Sequence, residues 1–477
     1  MDFNSFEYLI FLPVVFLLYW FLFRTVRWRN LFLVAASYVF YGWWDWRFLG
    51  LIMFSTLIGY VSGLRIGAPD GSGRRVGAKI WLWLCVGINL GILFLFKYFD
   101  FFVQSFRRLL GVFAYNADWV TLNLVLPIGI SFYTFQVLSY VIDVYRGDMK
   151  PTRDAGAFFA YISFFPQLVA GPIERATNLI PQFLRRREFR YDEGVEGLRM
   201  ILWGLFKKMV VADNCAVGAT YIFGHYEEVG ALNLWVGMIL FAFQIYGDFS
   251  GYSDIAVGSA RLFGIRLMQN FRTPYFSRNM TEFWRRWHIS LSKWFRDYIY
   301  IPLGGSRCSS ARTARNLLTV FLVSGLWHGA EFTFVAWGAC HALFVIPESL
   351  WRKRHKKQTP RDSAALRDIG AMVFTFLIVA FIFIFFRASY FSQAIDYIRM
   401  MFCDFRSVPL DVSRITFVWI AVMIVIEWIT RDRKYGIDFP YKGLWRSRLF
   451  RWTFYLLMTV VILVFFGERQ QFVYFQF

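Results

Sequence analysis

Long apolar runs separated by short basic loops recur from one end of this chain to the other. A run of about 18 or more residues with few charges matches the hydrocarbon thickness of a bilayer, and a soluble core does not need such runs. With 57% of residues hydrophobic and 21% aromatic, the pattern is that of an integral-membrane protein. No Pro-, Gly- or Ser-rich linker long enough to separate domains interrupts it. The expectation is therefore a single all-α, polytopic membrane domain over residues 1–477.

The chain carries 52 Lys and Arg against 32 Asp and Glu. The excess lies in short loops between apolar runs, at Arg24–Arg29, Arg65–Lys79, Arg146–Arg153, Arg185–Arg190, Arg261–Arg315, Arg352–Lys357 and Arg431–Lys434. It therefore reads as orientation in a lipid bilayer, with these loops cytoplasmic, and not as a nucleic-acid surface. The opening run Phe6–Phe23 has no basic residue before it and no small-residue cleavage site after it, so it is expected to remain as a first span, with both termini outside. Cys85, Cys215, Cys308, Cys340 and Cys403 are scattered, which predicts neither a disulfide framework nor a metal site.

Strict alternation of spans fails twice. Phe158–Ala170 has basic loops on both sides and carries Pro166, with Gly171 and Pro172 next to it. Leu317–Ile346 also lies between basic loops and is interrupted by Ser324, Gly325, His328, Gly329 and Glu331. The first is expected to be re-entrant or interfacial, and the second to enter and return. Broken backbone at membrane depth is tolerated only where protein or a watery cavity satisfies it, so a buried polar cavity is implied. Trp119–Ile142, Met200–Val211 and Leu232–Tyr246, among others, are apolar segments expected to span or enter the bilayer, several of them short of the ~20 residues a simple span needs.

An ionisable side chain at membrane depth suggests function. His328 lies in Gly325-Leu-Trp-His-Gly-Ala-Glu331, between glycines that would let another molecule approach closely. A neutral imidazole there could take a proton from a hydroxyl attacking a thioester, or could be a core histidine bonded between helices. His288 falls in Asn279–Tyr300, where Trp284, Trp287, Leu291, Trp294 and Tyr298 recur every three or four residues on one helical face. Asn279 and Glu282 resemble a capping box. This amphipathic helix, with Arg285, Arg286, Lys293 and Arg296 on its polar side, is expected at the cytoplasmic interface. It serves either as a basic, aromatic lip for the phosphates of a nucleotide-bearing acyl donor or as a headgroup anchor. Asp248, Ser250 and Asp254, in Tyr246-Gly-Asp-Phe-Ser-Gly-Tyr-Ser-Asp254, either line a cavity or fix a helix end. His341 is expected to pack. His225 and His355 carry no signal.

Leu126-Pro-Ile-Gly-Ile-Ser-Phe-Tyr-Thr-Phe135, Gln244–Asp254, Phe283-Trp-Arg-Arg-Trp-His-Ile-Ser-Leu291 and Trp327-His-Gly-Ala330 together resemble the membrane-bound O-acyltransferase family, in its bacterial alginate O-acetylation branch. The resemblance implies a helical bundle with a central tunnel. It implies that His328 and His288 are catalytic; Trp284, Arg285, Trp287, Arg296 and Trp327 are, beside them, candidates for lining a cavity or binding the donor. It implies acetyl-CoA or an acyl-carrier thioester as donor substrate, with no bound cofactor and no metal. It further implies delivery of an acetyl group to an extracytoplasmic polysaccharide through a periplasmic, SGNH-hydrolase-like partner with a serine nucleophile, in a bacterial inner membrane. Transfer of another unit, such as D-alanyl from a carrier protein, or a transport channel without covalent chemistry, are the rival expectations.

The chain ends Phe472-Val-Tyr-Phe-Gln-Phe477. This resembles the F-x-Y-x-x-F tail of the small partner peptide of teichoic-acid D-alanylation, and implies that residues 468–477 form an extracytoplasmic tail with Tyr474 as acyl carrier. An interfacial aromatic anchor is the alternative.

Overall fold

A computed structural model describes residues 1–67, 74–112, 121–169, 171–355, 365–409, 412–440, 442–466, 470 and 472–473. Among the described residues every regular element is helical. Five helical stretches among the described residues are long and apolar enough to cross a membrane: Val26–Ile66, Val76–Leu110, Gly230–Leu262, Phe332–His355 and Leu366–Arg387. The first run forms a shorter apolar helix, Phe6–Leu22. By contacts the chain divides into two compact units, Met1–Gly194 with Ser259–Met268, and Val195–Gly258 with Gln269–Phe477.

In the first unit, the helices Leu49–Ile66 and Ile130–Arg146 approach closely because Gly59 and Gly63 leave room for Val137 and Tyr140. The span expected at Trp119–Ile142 begins only at Ile130, with no regular structure over 121–127. Proline at 127 cannot donate to a helix, and Gly129 starts the helix in the left-handed region (φ 76°). Phe158–Ala170 breaks as expected. A helix Ala155–Ser163 ends at Phe164, and a single turn Phe165–Leu168 follows. Nine residues rise only about 13 Å, far short of a bilayer. The break is held by Ser37, whose hydroxyl accepts the Phe165 N–H (3.0 Å) and donates to the Leu33 carbonyl (2.6 Å).

The second unit is built on two long helices in close contact. One runs through Tyr191–Leu205, a π-helical segment Phe206–Ala212 and Asp213–Gly224; the other is Gly230–Leu262. Glycines on both make the contact possible. A Cβ on Gly251 would lie 2.7 Å from the Gly204 carbonyl oxygen, and one on Gly258 would lie 2.5 Å from that of Gly197. Small residues at such a crossing let backbones meet, the usual means of association where lipid removes the hydrophobic drive. This overturns the expected helix end at Tyr246–Asp254, which lies in mid-helix. Gly247, Ser250, Gly251 and Ser253 serve close packing there, not termination.

Gly251→Ala is expected to force the helices apart and cost roughly 1–3 kcal/mol. Gly87→Ala, with no atom within 4 Å of the new methyl group, is the control. Thermal unfolding in detergent should separate the two, and equal midpoints would contradict the crossing.

Leu317–Ile346 folds back on itself. Helices Ser310–His328 and Phe332–His355 form a hairpin turning at Gly329–Glu331. Its glycines serve the hairpin itself, since Gly325 faces the Phe334 backbone and Gly329 the Phe334 ring. The expectation that these glycines admit another molecule is therefore corrected.

Candidate active site

Asn279–Tyr300 is not one amphipathic helix. Asn279 caps a short helix, Met280–Arg286, by accepting the Glu282 N–H (2.9 Å). The Glu282 carboxylate turns back to the Arg278 N–H (3.0 Å) and guanidinium. Burial works to raise the Glu282 carboxyl, yet the bonds from Arg278 and the charge of Arg286 hold it below its ordinary value. The helix then stops at Trp287 and resumes at Ile289–Phe295, followed by a π-helical turn Arg296–Tyr300. The break is His288 itself, in the left-handed region at φ 42°. That conformation costs a non-glycine residue ~1–2 kcal/mol. The apolar face of both pieces is turned inward, with Phe283, Trp287, Leu291 and Trp294 buried, while Arg285, Lys293 and Arg296 of the basic face are exposed.

Asn270 holds the strained residue from both sides. Its carbonyl accepts the Ile289 N–H (2.9 Å). Its side-chain oxygen accepts the Ser290 N–H (3.3 Å) and hydroxyl (2.9 Å) and meets His288 Nδ1 at 3.1 Å. An oxygen already accepting two hydrogens can only accept a third, so Nδ1 carries the proton and Nε2 keeps its lone pair. Nε2 is buried and has no hydrogen-bond partner among the described residues. His288 is thus presented as a neutral imidazole with a fixed tautomer and a free basic nitrogen.

His328 is the last residue of its hairpin arm and is buried. Its ring centroid lies 4.8 Å from Trp327, 4.9 Å from Trp337 and 5.3 Å from Phe386. Trp327 in turn lies 5.9 Å from His288. The two histidines, 40 positions apart in sequence, therefore border one indole. His341 sits in an aromatic box of Trp337 (4.7 Å), Trp284 (4.9 Å), Phe321 and Phe283.

The other expected residues separate into three places. Trp284, Arg285 and Arg296 line a cleft of about 220 Å³ that also reaches Phe321 and Ser324. Trp287 is buried between Phe271 (5.0 Å) and Phe283 (5.4 Å) and lies outside that cleft. Ser250 is buried within Gly230–Leu262. Asp248 and Asp254 are tied up in ion pairs, with Lys208 (2.7 Å) and Lys207 (2.7 Å) respectively.

Tyr474 lies outside the described residues, but Phe472 and Val473, just before it, are buried. The Phe472 ring packs on Tyr252 (4.4 Å) and Phe249 (6.1 Å). Phe249 stands 4.7 Å from His288.

Sequence reasoning missed Asn270, Phe249 and the Lys207–Lys208 pair. A signal existed for the lysines, two adjacent charges inside the apolar run Met200–Val211. None existed for Asn270, whose role appears only when the chain folds back on His288.

Residues 154–393 match the model of the membrane-bound O-acyltransferase family. The chain is 41% identical over 418 residues to a probable alginate O-acetylase AlgI of Azotobacter vinelandii, covering 87% of this chain and 81% of the relative. It is 34% identical to a peptidoglycan O-acetyltransferase of Helicobacter pylori, over 82% of this chain and 77% of that protein. A teichoic acid D-alanyltransferase of Bacillus subtilis is 28% identical over 57% of this chain and 71% of its own length.

Proposed function

The chain belongs to the membrane-bound O-acyltransferase family, and on that premise we propose that it carries an acetyl group from a cytoplasmic thioester, acetyl-CoA or an acylated carrier, across a bacterial inner membrane toward an extracytoplasmic polysaccharide. The observation that carries this reading is the burial of Phe472 and Val473, with the Phe472 ring 6.1 Å from Phe249, which in turn stands 4.7 Å from the His288 ring. On this reading Tyr474, the next residue in the sequence, is the acyl acceptor.

In the proposed sequence the Tyr474 oxygen attacks the thioester carbonyl while His328 takes the phenolic proton. The thiolate leaves and recovers that proton as a thiol, and the acetyl group stays on the tyrosine as an aryl ester. A phenol, with an unperturbed pKa near ~10, needs such a base, but its ester is a better acyl donor than an alkyl ester. The serine of a periplasmic, SGNH-hydrolase-like partner then attacks the ester and frees the phenol. Trp327 separates the two imidazoles, and His288 offers Nε2 as a second acceptor at the same site. Arg285, exposed on a largely apolar cleft, is the cation offered to the phosphates of the donor, since Arg296 there is paired with Asp297 (2.6 Å). The orientation that fits is basic loops inside and both termini outside.

Acetyl is favoured over D-alanyl because the two acetylating relatives each align with more than four fifths of this chain, and the D-alanylating one with 57%. The test is transfer of radiolabel in proteoliposomes. Label from acetyl-CoA should reach the C-terminal peptide, and a polysaccharide acceptor only when the partner is added. Label accepted only from a D-alanylated carrier would overturn the acetyl assignment.

A further inference from the structure

Directly behind the candidate site, three charged side chains are buried together: Lys208, Asp213 and Asp248. Lys208 comes from the π-helical segment Phe206–Ala212, and Asp248 from the middle of Gly230–Leu262. Lys208 Nζ donates to Asp213 Oδ1 (2.8 Å) and to the backbone carbonyl of Gln470 (3.0 Å), and it forms an ion pair with Asp248 Oδ1 (2.7 Å). The other Asp248 oxygen accepts the backbone N–H of Val473 at 2.7 Å. The Gln470 backbone also hydrogen-bonds the Asp213 carboxylate. The chain terminus thus completes a buried ionic cluster, and every one of these tail contacts is made by backbone.

We propose that Lys208, Asp213 and Asp248 form a positioning clamp that draws the C-terminal segment into the protein interior through its main chain and so aims Tyr474 at the histidines. The clamp rests on the proposed role of the tail only for its effect on turnover; its grip on the tail is a separate property. Positive and negative charges in the cluster do not balance, with one cation for two carboxylates, so the tail N–H groups supply the missing partners. Phe472 adds a ring packed at a tilt of 36° on Tyr252 (4.4 Å), four residues along the same helix from Asp248. None of the three charged residues touches the donor or the reacting atoms in this scheme; they act through the tail.

The clean variant is Asp248→Leu. It removes the acceptor for Val473 and leaves Lys208 and Asp213 as a balanced pair, so no buried charge is stranded. Full-length protein in nanodiscs is treated with a carboxypeptidase and its intact mass followed. Trimming of the wild-type chain should stall near Val473, and Asp248→Leu should be trimmed well past it. Loss of one hydrogen bond to a charged acceptor weakens the tail's hold roughly 10- to 100-fold, and acetyl transfer at saturating donor should fall by a similar factor with donor KM unchanged. Asp248→Asn, which keeps an acceptor oxygen, should lie between the two.

A folded Asp248→Leu chain whose tail is as protected as the wild type overturns the clamp, whatever its activity. A tail that is freely trimmed while transfer continues at the wild-type rate leaves the clamp standing and overturns the acyl-carrying role of the tail. Should the variant not fold, hydrogen exchange of the wild-type C-terminal peptide decides: slow exchange of the Val473 amide is expected, and exchange at the rate of an open chain overturns the clamp.

Discussion

His328→Ala is expected to lower acetyl transfer by ~10²–10⁴-fold, the usual contribution of a positioned general base. The loss should appear in kcat, because the ring is surrounded by Trp327, Trp337 and Phe386 and lies outside the cleft lined by Arg285 and Arg296. Stability should fall much less. His328 ends its helix, and the hairpin is held by the Gly325 and Gly338 contacts further along both arms. The thermal midpoint of the purified variant is therefore the control. A folded variant with wild-type turnover removes His328 from the chemistry. A variant that does not fold shows the ring to be a packing element, the alternative open from the sequence onward.

Tyr474→Phe is expected to abolish polymer acetylation while expression and membrane insertion stay normal. The substitution keeps the aromatic ring and removes only the hydroxyl, so it separates an acyl carrier from an aromatic anchor at the membrane surface. The buried position of Phe472 and Val473 makes the anchor reading the weaker one, since a tail serving as a surface anchor has no reason to place these residues inside the protein. With the phenol gone, the thioester has no acceptor at the site, and the partner's serine receives nothing. Acetylation at the wild-type level in this variant ends the relay scheme.

The all-helical membrane fold could be read from the length of the apolar runs alone, because lipid leaves the backbone little other choice. The two interrupted segments were legible for the same reason. Basic residues on both sides of Leu317–Ile346 predict a segment that turns back on itself, and Ser310–His328 and Phe332–His355 form a hairpin there. Periodicity failed where one residue decides the backbone. The spacing of Trp284, Trp287, Leu291 and Trp294 is helical, yet the left-handed His288 cuts the helix in two, a conformation set by the distant Asn270. Composition misled at Tyr246–Asp254, where Asp, Ser and Gly resembled a helix end. Packing against Gly197 and Gly204 explains the same residues in the middle of a helix. Lys207, Lys208 and Glu427 were visible as charges inside apolar runs, but their partners, Asp254, Asp248 and Tyr246, could be found only in three dimensions.

Passage of the acyl group through Tyr474 can be observed by incubating the purified enzyme with acetyl-CoA in the absence of its partner, quenching in acid and sequencing the C-terminal peptide by mass spectrometry. An acetyl adduct on Tyr474 is expected, one that disappears when the periplasmic partner is added and is absent from His328→Ala. A C-terminal peptide that stays unmodified, in a preparation that acetylates polymer once the partner is restored, would contradict it.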